Sequence, residues 1–221
     1  MTRQNAPTQS ATHRLCQALR VSAPPDWSAA HAAILAGAPV DTPIPTWAGA
    51  TPLILAATLD GCIAEAGWLL DHGASLETVT SNGTTALVSA VLHSRTDTAA
   101  LLLEHGADPN ARGRNGWTAL MVVSLMNDTE SRRGLIVMLL DHGADPAVMA
   151  LDGRTAPEIF MAFGGPELTG YLDEVLASDH RAAARCRLLD RLTTDQRLAW
   201  LPRSTVAESA MKTPKTWYRT P

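Results

Sequence analysis

The chain has 221 residues, 46% of them hydrophobic, with six Trp but only two Phe and two Tyr. Because Phe and Tyr are so few, the hydrophobic core must consist mostly of Leu, Ala, Val and Ile, which favours closely packed helices over a β-sandwich. The net charge of −4 argues against a general attraction to nucleic acid. No stretch reaches the roughly 18 apolar residues that span a bilayer.

Three widely spaced cysteines, Cys16, Cys62 and Cys186, form neither a disulfide framework nor a metal motif. Residues 1–10 are polar and carry no apolar signal segment. We therefore expect a cytoplasmic protein without membrane or nucleic-acid partners, although export without a cleavable signal stays open.

The N-terminal part predicts a disordered segment followed by a degenerate helix pair. Residues 1–10 are rich in Thr, Gln, Asn, Ser and Pro, which is typical of disorder. A first short helix is expected from Thr12 to Arg20. Two prolines, Pro24 and Pro25, interrupt it, and Asp26 can cap a second helix from Trp27 to about Ala36.

Two markers then recur in register. The first is Leu-Leu-acid-His-Gly-Ala, whose glycines lie 33 and 37 residues apart: Gly73, Gly106 and Gly143. The second is a Gly-x-Thr step before an apolar run, with threonines Thr51, Thr85, Thr118 and Thr155. Two markers that keep one period predict a repeat array.

Each repeat predicts two helices and a turn. Thr51, Thr85 and Thr118 can cap the first helix, and small residues such as Ala57 and Ala90 allow a neighbouring helix to approach closely. The second helix ends at the glycine, in the left-handed conformation. The next Asn-Gly or Asp-Gly, as at Asn115-Gly116, favours a tight hairpin turn.

This pattern resembles the ankyrin repeat over about residues 12–176. The resemblance implies an all-α solenoid with short β-hairpin fingers. We expect a disordered N-terminus at 1–10, about five repeats at 11–176 with the first and last degenerate, and a helical extension and tail at 177–221. The family usually has His after Thr-Pro-Leu, but this chain has Ile54, Val88 and Met121, which predicts a thinner polar network between repeats.

Later repeats depart from the pattern. The fourth is four residues longer than the third, which predicts a loop that carries the acids Asp128 and Glu130. The fifth has Pro157 where Leu is expected and is interpreted as a cap. Further helices are predicted at 178–192 and 194–201, before a tail at 211–221.

The histidines His72, His105 and His142 raise the alternative of a zinc site. Stacked helices lie about 8–10 Å apart, whereas zinc ligands must all lie about 2.0–2.1 Å from one ion. A histidine in the last helical turn meets the negative end of the helix dipole instead. We therefore expect no metal.

Catalytic and cofactor motifs are missing from the sequence. It has no nucleophile elbow, phosphate loop or dinucleotide fingerprint, so we expect neither an enzyme nor a cofactor. The His13–Cys16 and His180–Cys186 spacings are interpreted as packing. The late arginines Arg181, Arg185, Arg187 and Arg191 form either a phosphate-binding strip or a solvated helix face, and the acidic chain favours the latter.

The favoured function is non-catalytic protein binding by a monomer, through the concave surface that the ankyrin resemblance implies. The expected partner-binding residues are Trp47, Leu59, Thr84, His93, Arg112, Arg114, Trp117, Met126, Leu151 and Arg154. Two alternatives stay open: a bacterial inhibitor or immunity-type protein that neutralises a toxin or enzyme, and an enzyme whose site lies in the extension. The candidates for the latter are Asp179, His180, Asp190 and Asp195. A fold-back of the tail over the surface, or internal packing of Leu92 and Leu125, would also explain the apolar residues.

Overall fold

The computed structural model describes residues 6–20, 24–126 and 128–177, and the predicted helices and tail after residue 177 lie outside this part. Ten α-helices form within the described ranges. They are α1 Ala6–Ala18, α2 Trp27–Leu35, α3 Pro52–Thr58, α4 Ile63–Asp71, α5 Ala86–Leu92, α6 Thr96–Glu104, α7 Ala119–Val122, α8 Thr129–Asp141, α9 Ala156–Ile159 and α10 Gly165–Leu176. None of these helices is long and apolar enough to cross a membrane.

The helices follow one another as five pairs in two rows: the partners of the first four pairs contact each other directly, and α9 and α10 are joined through the π-turn Phe160–Gly164. In the first row α3, α5, α7 and α9 each contact the next, and in the second row α4 contacts α6, α6 contacts α8 and α8 contacts α10. The all-α repeat fold predicted from the sequence is confirmed.

Small residues on the first helices allow this close stacking. Ala57 and Ala90 are fully buried, and Ser124 is 3% exposed. One apolar core runs from Ala50 to Leu176, so that each pair completes the core of its neighbours. A second, smaller cluster joins α1 and α2 to the array.

Three of the four predicted helix caps, at Asp26, Thr51, Thr85 and Thr118, form. Asp26 accepts a hydrogen bond from the Ala29 N–H at 3.0 Å. The hydroxyl oxygens of Thr51 and Thr85 accept from the N–H three residues later, at 3.4 and 3.3 Å. The prediction for Thr118 is wrong: its hydroxyl is buried and has no hydrogen-bond partner among the described residues. The following helix, α7, is only one turn long and continues as a 3₁₀ turn, Val123–Leu125.

The predicted ends of the second helices are confirmed. Gly73, Gly106 and Gly143 have φ angles of 82°, 88° and 89°. Left-handed backbone of this kind ends a helix at low cost when the residue is glycine.

The first helix begins earlier than predicted, at Ala6 rather than Thr12. Pro7 stands in its first turn, where the missing N–H costs nothing. Ala11, which precedes the predicted start, is fully buried, so tertiary packing favours the longer helix.

The fingers between the pairs are tight turns in this structure. Gly83 N–H bonds the Thr80 carbonyl at 2.8 Å, and Gly153 N–H bonds the Ala150 carbonyl at 3.1 Å. Residues 6–20, 24–126 and 128–177 contain one isolated antiparallel bridge, Ile44 with Ala50, and no longer strand. The β-hairpin form of the fingers therefore stays a prediction.

The long loop predicted in the fourth repeat is mostly helix. Asp128 accepts from the N–H groups of Glu130 and Ser131 at 3.3 and 3.1 Å, so α8 begins at Thr129. Hydrogen bonds from Ser131 lower the pKa of the Asp128 carboxyl. Asp128 therefore acts as a helix cap.

Candidate functional site

The fourth and fifth fingers are joined by backbone contacts. The fourth finger closes when Gly113 N–H bonds the Trp117 carbonyl at 2.8 Å, and Asn115 and Gly116 have φ angles of 61° and 74°. The Leu151 N–H of the fifth finger donates to the Asn115 carbonyl at 2.9 Å. The two fingers therefore form one continuous surface.

Gly116 permits this close approach. A Cβ atom at this position would lie 2.9 Å from both the Leu151 nitrogen and Arg112 Nη2. Because the Leu151 nitrogen is backbone, it cannot move aside as a flexible side chain could.

Aromatic and guanidinium groups gather on this surface. The rings of Trp117 and Phe163 are tilted at 55° with centroids 5.7 Å apart. The Arg154 guanidinium lies 5.6 Å from the Phe163 centroid, and Arg112 Nη2 donates to the Met149 carbonyl at 2.6 Å. We call these residues the aromatic–arginine patch: Arg112, Trp117, Leu151, Arg154 and Phe163.

The patch contains large side chains that face solvent. Leu151 is 77% exposed and Phe163 is 53% exposed, although Trp117 also packs against the core. Arg154 forms an ion pair with Asp152, and its hydrogen bond lowers the pKa of that carboxyl. Exposed aromatic rings beside guanidinium groups that are fixed by hydrogen bonds or ion pairs are typical of the centre of protein interfaces.

Apolar side chains at equivalent positions of other repeats also face solvent. Leu92 and Leu125 end the first-row segments of the third and fourth pairs and are 46% and 45% exposed. Val79 and Met149 hold equivalent finger positions and are 47% and 49% exposed. Internal packing of Leu92 and Leu125, an alternative from the sequence, is therefore not what the structure has.

Two residues predicted to contact a partner make internal contacts instead. The expectation that Met126 faces solvent is wrong, because the 3₁₀ turn before it directs the side chain into the core, where it is 5% exposed. Trp47 is half-buried, and its Nε1–H donates to the Leu19 carbonyl at 3.0 Å, which links the second finger to the segment that follows α1.

The remaining predicted residues lie on the fingers and first-row ends without forming one cluster in the structure. Leu59 is half-buried against the N-terminal cluster, and Thr84 is half-buried at the third finger. His93 is exposed at the end of α5, where its Nδ1 lies 2.9 Å from the Ser89 carbonyl oxygen. The side chain of Arg114 is exposed and makes no hydrogen bond or ion pair with any described residue.

The repeated histidines lie at the C-terminal ends of the second helices. The Nδ1 atoms of His72 and His105 lie 2.8 Å from the carbonyl oxygen four residues earlier, and that of His142 lies at 2.9 Å. Each Nδ1 bonds its own helix end when it carries a proton. Over the described part of the chain, no group of three His, Cys, Asp or Glu side chains could hold a metal ion.

Sequence reasoning missed two contacts between repeats. His31 stacks on Trp68 with centroids 3.9 Å apart, and Trp68 stacks on His72 at 3.7 Å, which joins α2 to α4. In a cleft of about 270 Å³, Arg95 pairs with Asp60 at 3.0 Å and bonds the Thr58 carbonyl at 3.3 Å. Neither contact has a local sequence signal, because each joins residues from different repeats.

Two rows of stacked helix pairs define a helical-repeat protein. Residues 10–113 match the family model for ankyrin repeats in three copies, so this stretch consists of ankyrin repeats, as the sequence predicted. The match ends between Arg112 and Arg114, in the fourth finger, and the later repeats lie beyond it. A comparison with curated proteins found no match.

Ankyrin repeats generally serve as protein–protein interaction modules and are typically not catalytic. The residues of the enzyme alternative, Asp179, His180, Asp190 and Asp195, lie outside the described residues, as do Cys186 and the late arginines.

Proposed function

We propose that the protein is a non-catalytic binding module whose monomer contacts a protein partner through its fingers and the ends of its first-row helices. One observation carries this proposal: equivalent positions of different repeats keep large apolar side chains in solvent. Leu92 and Leu125 form one such pair, and Val79 and Met149 form another. Because a repeat array displays equivalent positions along one side, these residues supply an extended contact surface.

The energetic argument favours a protein partner. Exposed apolar side chains give little benefit to the free chain, whereas their burial contributes roughly 25 cal/mol per Å². Interfaces of standard size bury about 800 Å² on each partner, which several neighbouring repeats supply more readily than a single cleft. The finger turns, in their proposed hairpin form, extend this surface beyond the helices.

The test is affinity capture from extracts of the native cell, with the full chain as bait and quantitative mass spectrometry as readout. The surface variant carries Leu92→Asp and Leu125→Asp together. The matched control is Ile63→Asp, because Ile63 is 43% exposed at the start of a second-row helix. Circular dichroism of each bait verifies that it is folded.

We expect the surface variant to retain at least about tenfold less of the partner than the wild type, as for loss of an interface centre. The control should retain the partner normally. Equal retention by both variants would place the contact elsewhere, and a wild-type bait that enriches no protein would contradict the proposed function itself.

A further inference from the structure

Charge is distributed unevenly along the chain. Residues 1–177 contain nine Arg, no Lys and 18 Asp or Glu, which gives a net charge of −9. Three of these nine arginines, Arg112, Arg114 and Arg154, stand in the fourth and fifth fingers. The fingers therefore present positive charge on an otherwise acidic array.

The arginines keep hydrogen-bonding capacity for a partner. A guanidinium has five N–H donors, and one from Arg112 reaches the Met149 carbonyl. That bond spans the fourth and fifth fingers and fixes the position of the Arg112 guanidinium within the patch. Arg114, adjacent on the same finger, bonds to none of the described residues. Arg154 forms an ion pair with Asp152, and its guanidinium group lies over the Phe163 ring.

Aromatic and aliphatic surfaces lie between these charges. The tilted Trp117 and Phe163 rings provide rigid apolar area with few torsions to freeze. Leu151, the most exposed of these apolar side chains, stands on the finger that bonds to Asn115. An apolar centre with cationic edges complements a ligand that combines an apolar side chain with negative charge.

We propose that the aromatic–arginine patch, with Arg114 at its edge, binds a peptide segment of the partner protein that carries Asp or Glu next to an aromatic or aliphatic residue. This inference rests on the proposed function and adds the chemistry of the partner. Carboxylates accept paired hydrogen bonds from guanidinium groups, while the apolar residue packs on the Trp117–Phe163 rings.

Charge argues against the chain's own C-terminal part as the occupant. Residues 178–221 contain nine Lys or Arg and four Asp or Glu, which gives a net charge of +5. A segment of this sign is repelled by the three finger arginines. The arginines therefore favour a partner segment from another protein, and the test below includes the chain's own segment as an outcome.

The probe is a random peptide display library selected on the full chain, followed by synthetic copies of the enriched peptides. Affinities are measured by fluorescence anisotropy at low and high salt. Two surface variants, Arg114→Glu and Leu151→Ala, are compared with the matched controls Arg20→Glu and Leu35→Ala. Arg20 is an exposed arginine after α1, and Leu35 is 70% exposed at the end of α2.

We expect enrichment of peptides that pair acidic with aromatic or aliphatic residues. Arg114→Glu and Leu151→Ala should each weaken their binding by about tenfold or more, the controls should bind like the wild type, and added salt should lower the affinity. Both substitutions fall on exposed side chains, so normal circular dichroism is expected.

Three results would overturn the inference. Enriched peptides that are basic or uncharged but still sensitive to Leu151→Ala would contradict the acidic partner and leave the proposed function intact. Peptides insensitive to both surface variants would contradict the patch as a binding site. Competition by a synthetic peptide of residues 178–221, or concentration-dependent dimers lost in Arg114→Glu, would assign the patch to the chain itself.

Discussion

At the scale of single residues, Gly116 is constrained by backbone angle and by space. Gly73 has a similar left-handed φ angle but open space around its position. A substitution at Gly73 therefore measures the cost of the backbone angle alone. We expect Gly73→Ala to lower the free energy of unfolding by about 1–2 kcal/mol, the cost of left-handed backbone for a residue with a Cβ. Gly116→Ala should cost at least about 1 kcal/mol more, because its Cβ would meet the Leu151 backbone.

Chemical denaturation of the two variants measures this difference, with equal slopes required for a valid comparison. If both variants lose the same stability, the fourth and fifth fingers are not in contact as described. The aromatic–arginine patch would then lose its structural basis.

His31 predicts a dependence of stability on pH. Burial lowers its pKa below the ordinary 6.5; the charge of Glu65 opposes this shift and that of His72 adds to it. The unfolded chain therefore binds the proton first as the pH falls. The contribution of His31 to stability is present above about pH 6.5 and is lost below it.

Thermal unfolding at about pH 7.5 and about pH 5.5 tests this prediction. The melting temperature of the wild type should fall more between these pH values than that of His31→Phe, which keeps an aromatic ring on Trp68. Glu65→Gln should steepen the fall, because it removes the charge that raises the His31 pKa. Identical falls in the wild type and His31→Phe would show that His31 is not the titrating group.

At the scale of helices, two threonines at equivalent positions have opposite roles. The Thr85 hydroxyl caps α5, while the Thr118 hydroxyl is buried without a partner among the described residues. Replacement by Val keeps the shape and removes the hydroxyl. Thr85→Val should cost about 1 kcal/mol, the usual value of a cap, whereas Thr118→Val should be neutral or stabilising.

Equilibrium denaturation of both variants gives the comparison. A loss of about 1 kcal/mol in Thr118→Val would show that its hydroxyl caps α7 after all. The sequence motif alone could not distinguish the two sites, because Thr118 differs from Thr85 in the helix that follows. The α7 helix lasts a single turn before the backbone tightens into a 3₁₀ turn.

At the scale of the whole molecule, the repeat period predicted the paired helices, their ends and most caps. Local signals suffice for these features because capping residues and left-handed glycines act within one turn of the chain. The same signals did not predict the buried Met126 or the structural use of Trp47. Both outcomes depend on neighbouring segments, as the bond from Trp47 to Leu19 illustrates.

The sequence predicted which residues lie on the fingers of the candidate surface, but it did not predict the contacts between them. Register placed Arg112, Trp117 and Leu151 on the fingers. The contacts that join them, from Arg112 to Met149 and from Leu151 to Asn115, link residues 36 or 37 positions apart. Such contacts depend on how two repeats stack, which the sequence of one repeat does not contain.

Hydrogen exchange measured by mass spectrometry, with and without the captured partner, tests the central claim most directly. The account predicts that partner binding slows exchange in the fourth and fifth fingers, at residues 111–118 and 149–155, and at the ends of α5 and α7. The exposed side of α4 and α6 should exchange as in the free chain. Protection confined to those second-row helices, with unchanged exchange in the fingers, would contradict the proposed binding surface.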